Sequence, residues 1–154
     1  MPVITIETLI LAPPQRCFDL ARDIDVHCQS TASTRERAVA GVTSGLIGPG
    51  QSVTFEAVHF GVRQRLTSRI TDFDAPHRFA DEMVEGAFAS LRHVHEFEVR
   101  GEHTLMRDTL EWRSPLGFLG KIADALFLKA YMTRFIEKRG VELKNIAENE
   151  EPRA

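Results

Sequence analysis

Apolar and polar residues alternate in short runs through the middle of the chain, a pattern typical of half-buried β-strands. Glycine and proline separate these runs, and β-branched and aromatic residues recur within them. Together with an apolar first segment, the pattern predicts seven strands that form an antiparallel sheet. The predicted strands are Val3–Leu11, Glu36–Val42, Ser52–Phe60, Val62–Thr71, Arg78–Glu85, Ser90–Arg100 and His103–Arg113.

Helices are predicted at two places outside these runs. Proline after the first strand favours a short helix over about Gln15–Arg22, and Asp23 can cap a second short helix behind it. At the other end, Ser114-Pro115 is a good helix start and predicts a long helix from Leu116 to about Ala147. The first half of this helix is apolar on nearly all sides. One face must pack on the sheet, and the rest needs a second contact.

Composition limits the classes of function. The 154 residues are 43% hydrophobic and 27% charged, which predicts one globular domain over 1–147 and a disordered tail over 148–154. A net charge of −3 gives no general attraction to nucleic acid. No apolar run approaches the roughly 20 residues of a membrane helix, and no signal peptide is evident, so we expect a cytoplasmic protein. Cys17 and Cys28 match no disulfide or zinc pattern, and no cofactor is predicted.

Several short motifs, spread over nearly the whole chain, resemble one protein superfamily. Through these motifs, the chain resembles the START-like superfamily, which is also called SRPBCC or Bet v 1-like. Within this superfamily it is similar to the bacterial ligand-binding branch labelled polyketide-cyclase-like or cell-division-inhibitor-like. The resemblance implies an α+β helix-grip fold, in which a curved antiparallel sheet and a long C-terminal helix enclose a cavity. The superfamily includes carriers, receptors and cyclases, so the fold does not choose the function. The motifs are His27-Cys28-Gln29-Ser30, Gly50-Gln51-Ser52-Val53-Thr54-Phe55, His59-Phe60-Gly61, Phe79-Ala80-Asp81-Glu82, Gly86-Ala87-Phe88, His93-Val94-His95-Glu96-Phe97, Thr104-Leu105-Met106-Arg107-Asp108 and Pro115-Leu116-Gly117-Phe118-Leu119-Gly120.

Polar residues interrupt the apolar inner face of the last three strands. If Gly101-Glu102 forms a two-residue turn, His95 lies opposite Asp108. In the preceding hairpin, a turn at 86–88 places Asp81 opposite His93, whereas a longer turn moves Asp81 toward His95. Because this pattern is not a recognised metal signature, no metal site is predicted. The predicted ligand-binding residues are Phe55, Gln64, Phe79, Asp81, Met83, Glu85, His93, His95, Phe97, Met106, Asp108 and Trp112.

Three functions fit this inner face and the long helix. The leading hypothesis is an intracellular binding protein for a small apolar, aromatic or lipid-like molecule. The second is a cyclase, dehydratase or isomerase in which Asp108 holds His95 as a general base, with His93 and Asp81 as further catalytic candidates. The third is an interaction module, such as a homodimer, that uses the apolar face of the long helix. The histidines and aspartates could instead form a purely structural network.

Overall fold

The structure is a computed structural model that describes residues 2–114, 117–123 and 127–149. The strands are β1 (Val3–Ile10), β2 (Arg37–Gly41), β3 (Ser52–His59), β4 (Val62–Asp74), β5 (Arg78–Glu85), β6 (Ser90–Arg100) and β7 (His103–Arg113). The helices are α1 (Pro14–Ala21), α2 (Ile24–Ser30), α3 (Gly117–Ala123) and α4 (Lys129–Asn149). A short 3-10 turn, Ala32–Thr34, follows α2.

In the described part of the chain the strands form one open antiparallel sheet in the order β1-β7-β6-β5-β4-β3-β2. The predicted helix-grip fold is confirmed, including the two short helices after the first strand. Asp23 caps α2 as predicted, because its carboxylate accepts hydrogen bonds from the backbone N–H groups of Asp25 and Val26. The predicted end of the fourth strand at Thr71 was wrong, since β4 continues to Asp74.

The C-terminal helix extends beyond its predicted end at about Ala147. Helical structure is described in α3 and α4, while residues 116 and 124–126 of the predicted single helix lie outside the described residues. At the far end, Glu148 and Asn149 belong to α4 and not to a tail. Glu148 accepts hydrogen bonds from the Leu11 backbone and from Lys144, which tie this end of the helix to the end of β1. Residues 150–154 lie outside the described residues.

The core joins the inner face of the sheet to α1 and α4. Phe18 of α1 makes edge-to-face contacts with Phe73, Phe79 and Phe97, at ring-centroid distances of 5.3, 5.3 and 5.5 Å. Leu143 of α4 is buried in the same cluster. A second cluster holds Ile4, Leu110, Trp112 and Ile136. The helices therefore close one side of the sheet and leave a cavity beside these clusters.

Candidate ligand-binding site

A cavity of about 130 Å³ lies between the inner face of the sheet and α4. Short helices α1 and α2 contribute to its wall through Ala21, Ile24 and His27. Most of its wall is apolar, with one main polar side and further polar residues near α2. The apolar wall includes Val53, Phe55, Ile70, Phe79, Leu110 and Ile136, and the polar side contains Asp81, His93, His95 and Arg139.

The polar side is built around two stacked histidines on β6. The rings of His93 and His95 are 3.8 Å apart between centroids and nearly parallel, because residues two apart on a strand point the same way. His93 Nε2 lies 2.9 Å from Asp108 Oδ1 on β7, and His95 Nε2 lies 2.9 Å from Asp81 Oδ2 on β5. His95 Nδ1 is also 3.1 Å from Asp108 Oδ1, although its direction does not make a hydrogen bond. Each histidine is therefore hydrogen-bonded to a carboxylate on a neighbouring strand.

His95 is held between two carboxylates. Burial opposes a charge on this ring, but the contacts with Asp108 and Asp81 outweigh burial and raise the pKa of His95. Burial alone would raise the pKa of Asp108, yet the contacts with His93 and His95 hold it well below its usual range. The pKa of Asp81 is lowered in the same way, mainly by His95. The arrangement favours a charged His95 with both ring nitrogens directed at protein groups.

His93 has the opposite properties. Burial and the neighbouring His95 lower the pKa of His93, despite its contact with Asp108. Because an ionised carboxylate can only accept, the proton of neutral His93 lies on Nε2. In the described chain, Nδ1 makes no hydrogen bond and is left as an acceptor. His93 lines the cavity with its side chain 11% exposed, against 3% for His95.

Arg139 of α4 completes the polar side. Its side chain is only 3% exposed, and its Nη1 lies 3.6 Å from Asp108 Oδ1. Nη2 donates a hydrogen bond to the Ala21 carbonyl at 3.3 Å, at the end of α1. Nε and Nη1 have no hydrogen-bond partner among the described residues. Arg139 therefore brings a buried cation with unused donors to the cavity.

A second polar pair lies at the wall near α2. His27 Nε2 is 2.7 Å from Glu36 Oε1, and the His27 ring stacks on Phe55 at 4.3 Å. Burial acts to raise the pKa of Glu36, but the contact with His27 outweighs burial and lowers it. Both residues of the pair line the cavity.

The predicted register of β6 and β7 is correct, and of the two registers left open for β5 and β6 the structure has the one with Asp81 opposite His93. The pairing of side chains is not the one expected. His95 lies opposite Asp108 and Asp81 lies opposite His93 in the sheet. The hydrogen bonds nevertheless run diagonally, from His93 to Asp108 and from His95 to Asp81. The stacked imidazoles reach past their direct neighbours to the diagonal carboxylates, a distance long side chains can span.

The structure separates the predicted ligand-binding residues into three groups. Phe55, Phe79, Asp81, His93 and His95 line the cavity. Phe97, Met106 and Trp112 are packed in the core, and Asp108 is buried in contact with both histidines. Gln64, Met83 and Glu85 lie outside the cavity wall. Strand β5 pairs with β6 only as far as Glu82, so its last residues diverge from β6 and Glu85 is exposed.

The prediction from sequence missed Arg139. It lies in the charged half of the helix, where the residue type alone predicts solvent exposure. A signal was present in the spacing, because Ile136, Arg139, Gly140 and Leu143 fall on one helical stripe and are all buried. Apolar residues lie on all sides of the first half of the helix, so the sequence pattern does not show which stripe is buried.

Asp81, His93 and His95 also form a group that could hold a metal ion. Their donor atoms lie within 4.8 Å of one another. However, His95 Nε2 and Asp81 are already hydrogen-bonded to each other, and the cation of Arg139 lies beside Asp108. A positive neighbour opposes a bound cation, so the geometry favours the hydrogen-bonded network over a metal centre.

Comparison with known structures identifies the same fold in proteins of low sequence identity. Protein TTHA0849 from Thermus thermophilus matches with a TM-score of 0.77 at 23% identity, covering 94% of this chain and 95% of that chain. Protein CV1439 from Chromobacterium violaceum matches with a TM-score of 0.75 at 11% identity, covering 96% and 98%. Major latex-like protein 151 from Panax ginseng matches with a TM-score of 0.71 at 12% identity, covering 95% and 97%. These likenesses support the predicted Bet v 1-like fold.

Comparisons with protein families and with curated proteins do not indicate a function. No protein-family model matches the sequence, and no curated protein matches it significantly. Among the described residues, none of the helices has the length and apolar character that crossing a membrane requires.

Proposed function

Because the chain has the helix-grip fold of the Bet v 1-like superfamily, we propose that it binds a small apolar or aromatic molecule in the cavity between the sheet and α4. The observation that carries this proposal is a mainly apolar cavity with groups of polar residues in its wall, the usual composition of a ligand site. Its volume of about 130 Å³ limits the size of the ligand. An apolar cavity of about 150 Å³ holds a benzene molecule, so a single ring is favoured over a long lipid.

A ligand screen tests this proposal. Single-ring compounds and fatty acids are presented to the protein, and binding is followed by thermal shift and native mass spectrometry. Single-ring compounds are expected to raise the Tm, because they stabilise the folded state alone. If no compound of either class binds, the proposal is wrong.

A matched pair of variants places the binding in the cavity. Ser68 lies on β4, is buried, and lines the cavity, so Ser68→Phe fills the space. Arg69, the next residue, is exposed on the other face, so Arg69→Phe adds the same ring outside. Binding is expected to be lost in Ser68→Phe and kept in Arg69→Phe. Equal binding by both variants would show that the ligand binds outside the cavity.

The hydrogen-bonded His93 supports a second candidate function, an enzyme that moves a proton on a carbonyl compound, as a cyclase, dehydratase or isomerase does. Asp108 fixes the proton of His93 on Nε2, so Nδ1 can act as the base. The earlier candidate, His95, suits this role less, because both of its nitrogens face carboxylates and its pKa is raised.

Exchange of the α-protons of bound ketones, followed by NMR in D₂O, tests this candidate. The exchange rate is expected to exceed that in buffer and to fall in His93→Gln by about a hundredfold or more. His77 is exposed and outside the cavity, so His77→Gln is the control. An exchange rate equal to that in buffer would leave simple binding as the function.

A further inference from the structure

Two donors of the buried Arg139 guanidinium make no hydrogen bond to the described part of the protein. Nε and Nη1 are enclosed, and neither has a hydrogen-bond partner among the described residues. Buried donors of this kind cost free energy unless an acceptor is supplied. Arg139 lines the cavity, so a molecule in the cavity can supply that acceptor.

The charges nearby indicate which acceptor fits. The carboxylate of Asp108 lies 3.6 Å from Arg139 Nη1, close enough to balance the positive charge without making a hydrogen bond. In the same cluster, the negative charge of Asp81 is balanced by the positive charge of His95. A ligand carboxylate would add a further negative charge beside Asp81 and Asp108, in a buried cavity that also contains Glu36. Arg139 therefore lacks an acceptor atom rather than a counter-charge.

We propose that the ligand is a neutral ring compound with a carbonyl oxygen, and that this oxygen accepts a hydrogen bond from Arg139. The proposal rests on the proposed function and names its ligand class. The ring occupies the apolar part of the cavity near Phe55 and Ile70. The oxygen points toward α4 and the polar side. A carbonyl is favoured over a carboxylate because it accepts the hydrogen bond without adding charge.

A pair of ligands of equal shape isolates the carbonyl contact. Cyclohexanone has a C=O group where methylenecyclohexane has C=CH₂, and the two compounds are otherwise the same. The affinity of the protein for each is measured by calorimetry. The ratio of the two affinities is then compared between the wild-type protein and the variant Arg139→Met/Asp108→Asn, which removes both charges together. Comparing ratios cancels the different hydration of the two free ligands. The preference for the ketone is expected to fall by about tenfold to a hundredfold in the variant. Arg134 is exposed on the same helix, so Arg134→Met is the control and should keep the wild-type ratio.

Each outcome bears on the proposal. An unchanged ratio in the double variant would overturn it, and would indicate that a buried water satisfies Arg139 instead. An equal fall in Asp108→Asn alone would also overturn it, because the contact would not belong to Arg139. Tighter binding of cyclohexanecarboxylate than of cyclohexanone would contradict the charge argument. If neither the ketone nor the alkene binds, this proposal is wrong, and the proposed function fails with it only if the ligand screen also finds no compound that binds.

An infrared measurement tests the contact without any variant. The C=O stretch of ¹³C-labelled cyclohexanone is recorded in the wild-type protein and in an apolar solvent. A hydrogen bond from a buried guanidinium polarises the carbonyl, so the band is expected at lower frequency in the protein. A band at the frequency of the apolar solvent would overturn the proposal even if the double variant does not fold.

Discussion

Replacing Arg139 by methionine is expected to lower the stability of the folded protein strongly. The substitution keeps an unbranched side chain of similar length but removes the cation that faces the carboxylate of Asp108. Asp108 is 1% exposed, so water cannot replace the lost partner. The hydrogen bond from Arg139 to the Ala21 carbonyl is lost as well.

The structure sets the size of this effect. Two unit charges about 4 Å apart interact by about 4 kcal/mol at an effective dielectric constant of about 20. Breaking a buried ion pair by removing one partner costs about 3–5 kcal/mol in the free energy of unfolding. For a chain of this size, that loss lowers the Tm by about 6–20 °C. Since whole proteins are stable by about 5–15 kcal/mol, the variant is expected to fold only marginally.

Urea unfolding followed by circular dichroism measures the effect, and a double-mutant cycle tests its cause. Arg139→Met, Asp108→Asn and the double variant are compared with the wild-type protein. Because the double variant leaves no uncompensated buried charge, its free energy of unfolding is expected within about 2 kcal/mol of the wild-type value. A double variant as unstable as the sum of the two single variants would refute the argument that these two charges stabilise each other.

Three further predictions address the histidine network, the helix packing and the oligomeric state. Because its folded pKa is raised, protonated His95 stabilises the protein below the unfolded pKa of about 6.5, and this contribution is lost as the pH rises through the folded pKa. Asp81→Asn should lower the pKa of His95 in an NMR titration, and an unchanged pKa would contradict the assignment. Gly140→Ala should cost about 1–3 kcal/mol in urea unfolding, because the new Cβ would lie 2.7 Å from Thr8 Oγ1, and adding Thr8→Ala should restore the loss. If the exposed ring of Phe127 joins two copies, Phe127→Glu should halve the mass measured by light scattering, whereas a monomeric wild-type protein would refute the homodimer.

Local features of the sequence were sufficient for most of the sheet. The two-residue turn at Gly101-Glu102 sets the register of β6 and β7, so Phe97 lies opposite Met106 as predicted. Alternation along β5 likewise places Phe79 and Asp81 on the inner face. Alternation failed for Glu85, because the pairing of β5 with β6 ends at Glu82 and β5 has an extra residue, Val84, in its pairing with β4.

The bulges between β4 and β5 show the same limit. Irregular pairing occurs between Thr67 and Ser68 and between Ile70 and Asp72. An extra residue at a bulge changes which side chains face inward, and nothing in the local pattern marks these positions. Gln64 has the same parity as Leu66, Ser68 and Ile70, which line the cavity, but it lies farther along β4, outside the cavity wall. Alternation predicts the face of a strand and not how far a cavity extends along it.

The sequence by itself determined the order of the elements, the register of β6 and β7, and the concentration of histidine and aspartate on the inner face of the last three strands. These features depend on neighbours a few residues apart, whose geometry the backbone fixes. The tertiary structure decided which histidine is bound to which aspartate, because rotamers and sheet geometry select the diagonal carboxylates. It also decided that Arg139 faces Asp108, a contact set by the docking of α4 on the sheet. That docking follows from packing across the whole core, which no local spacing encodes.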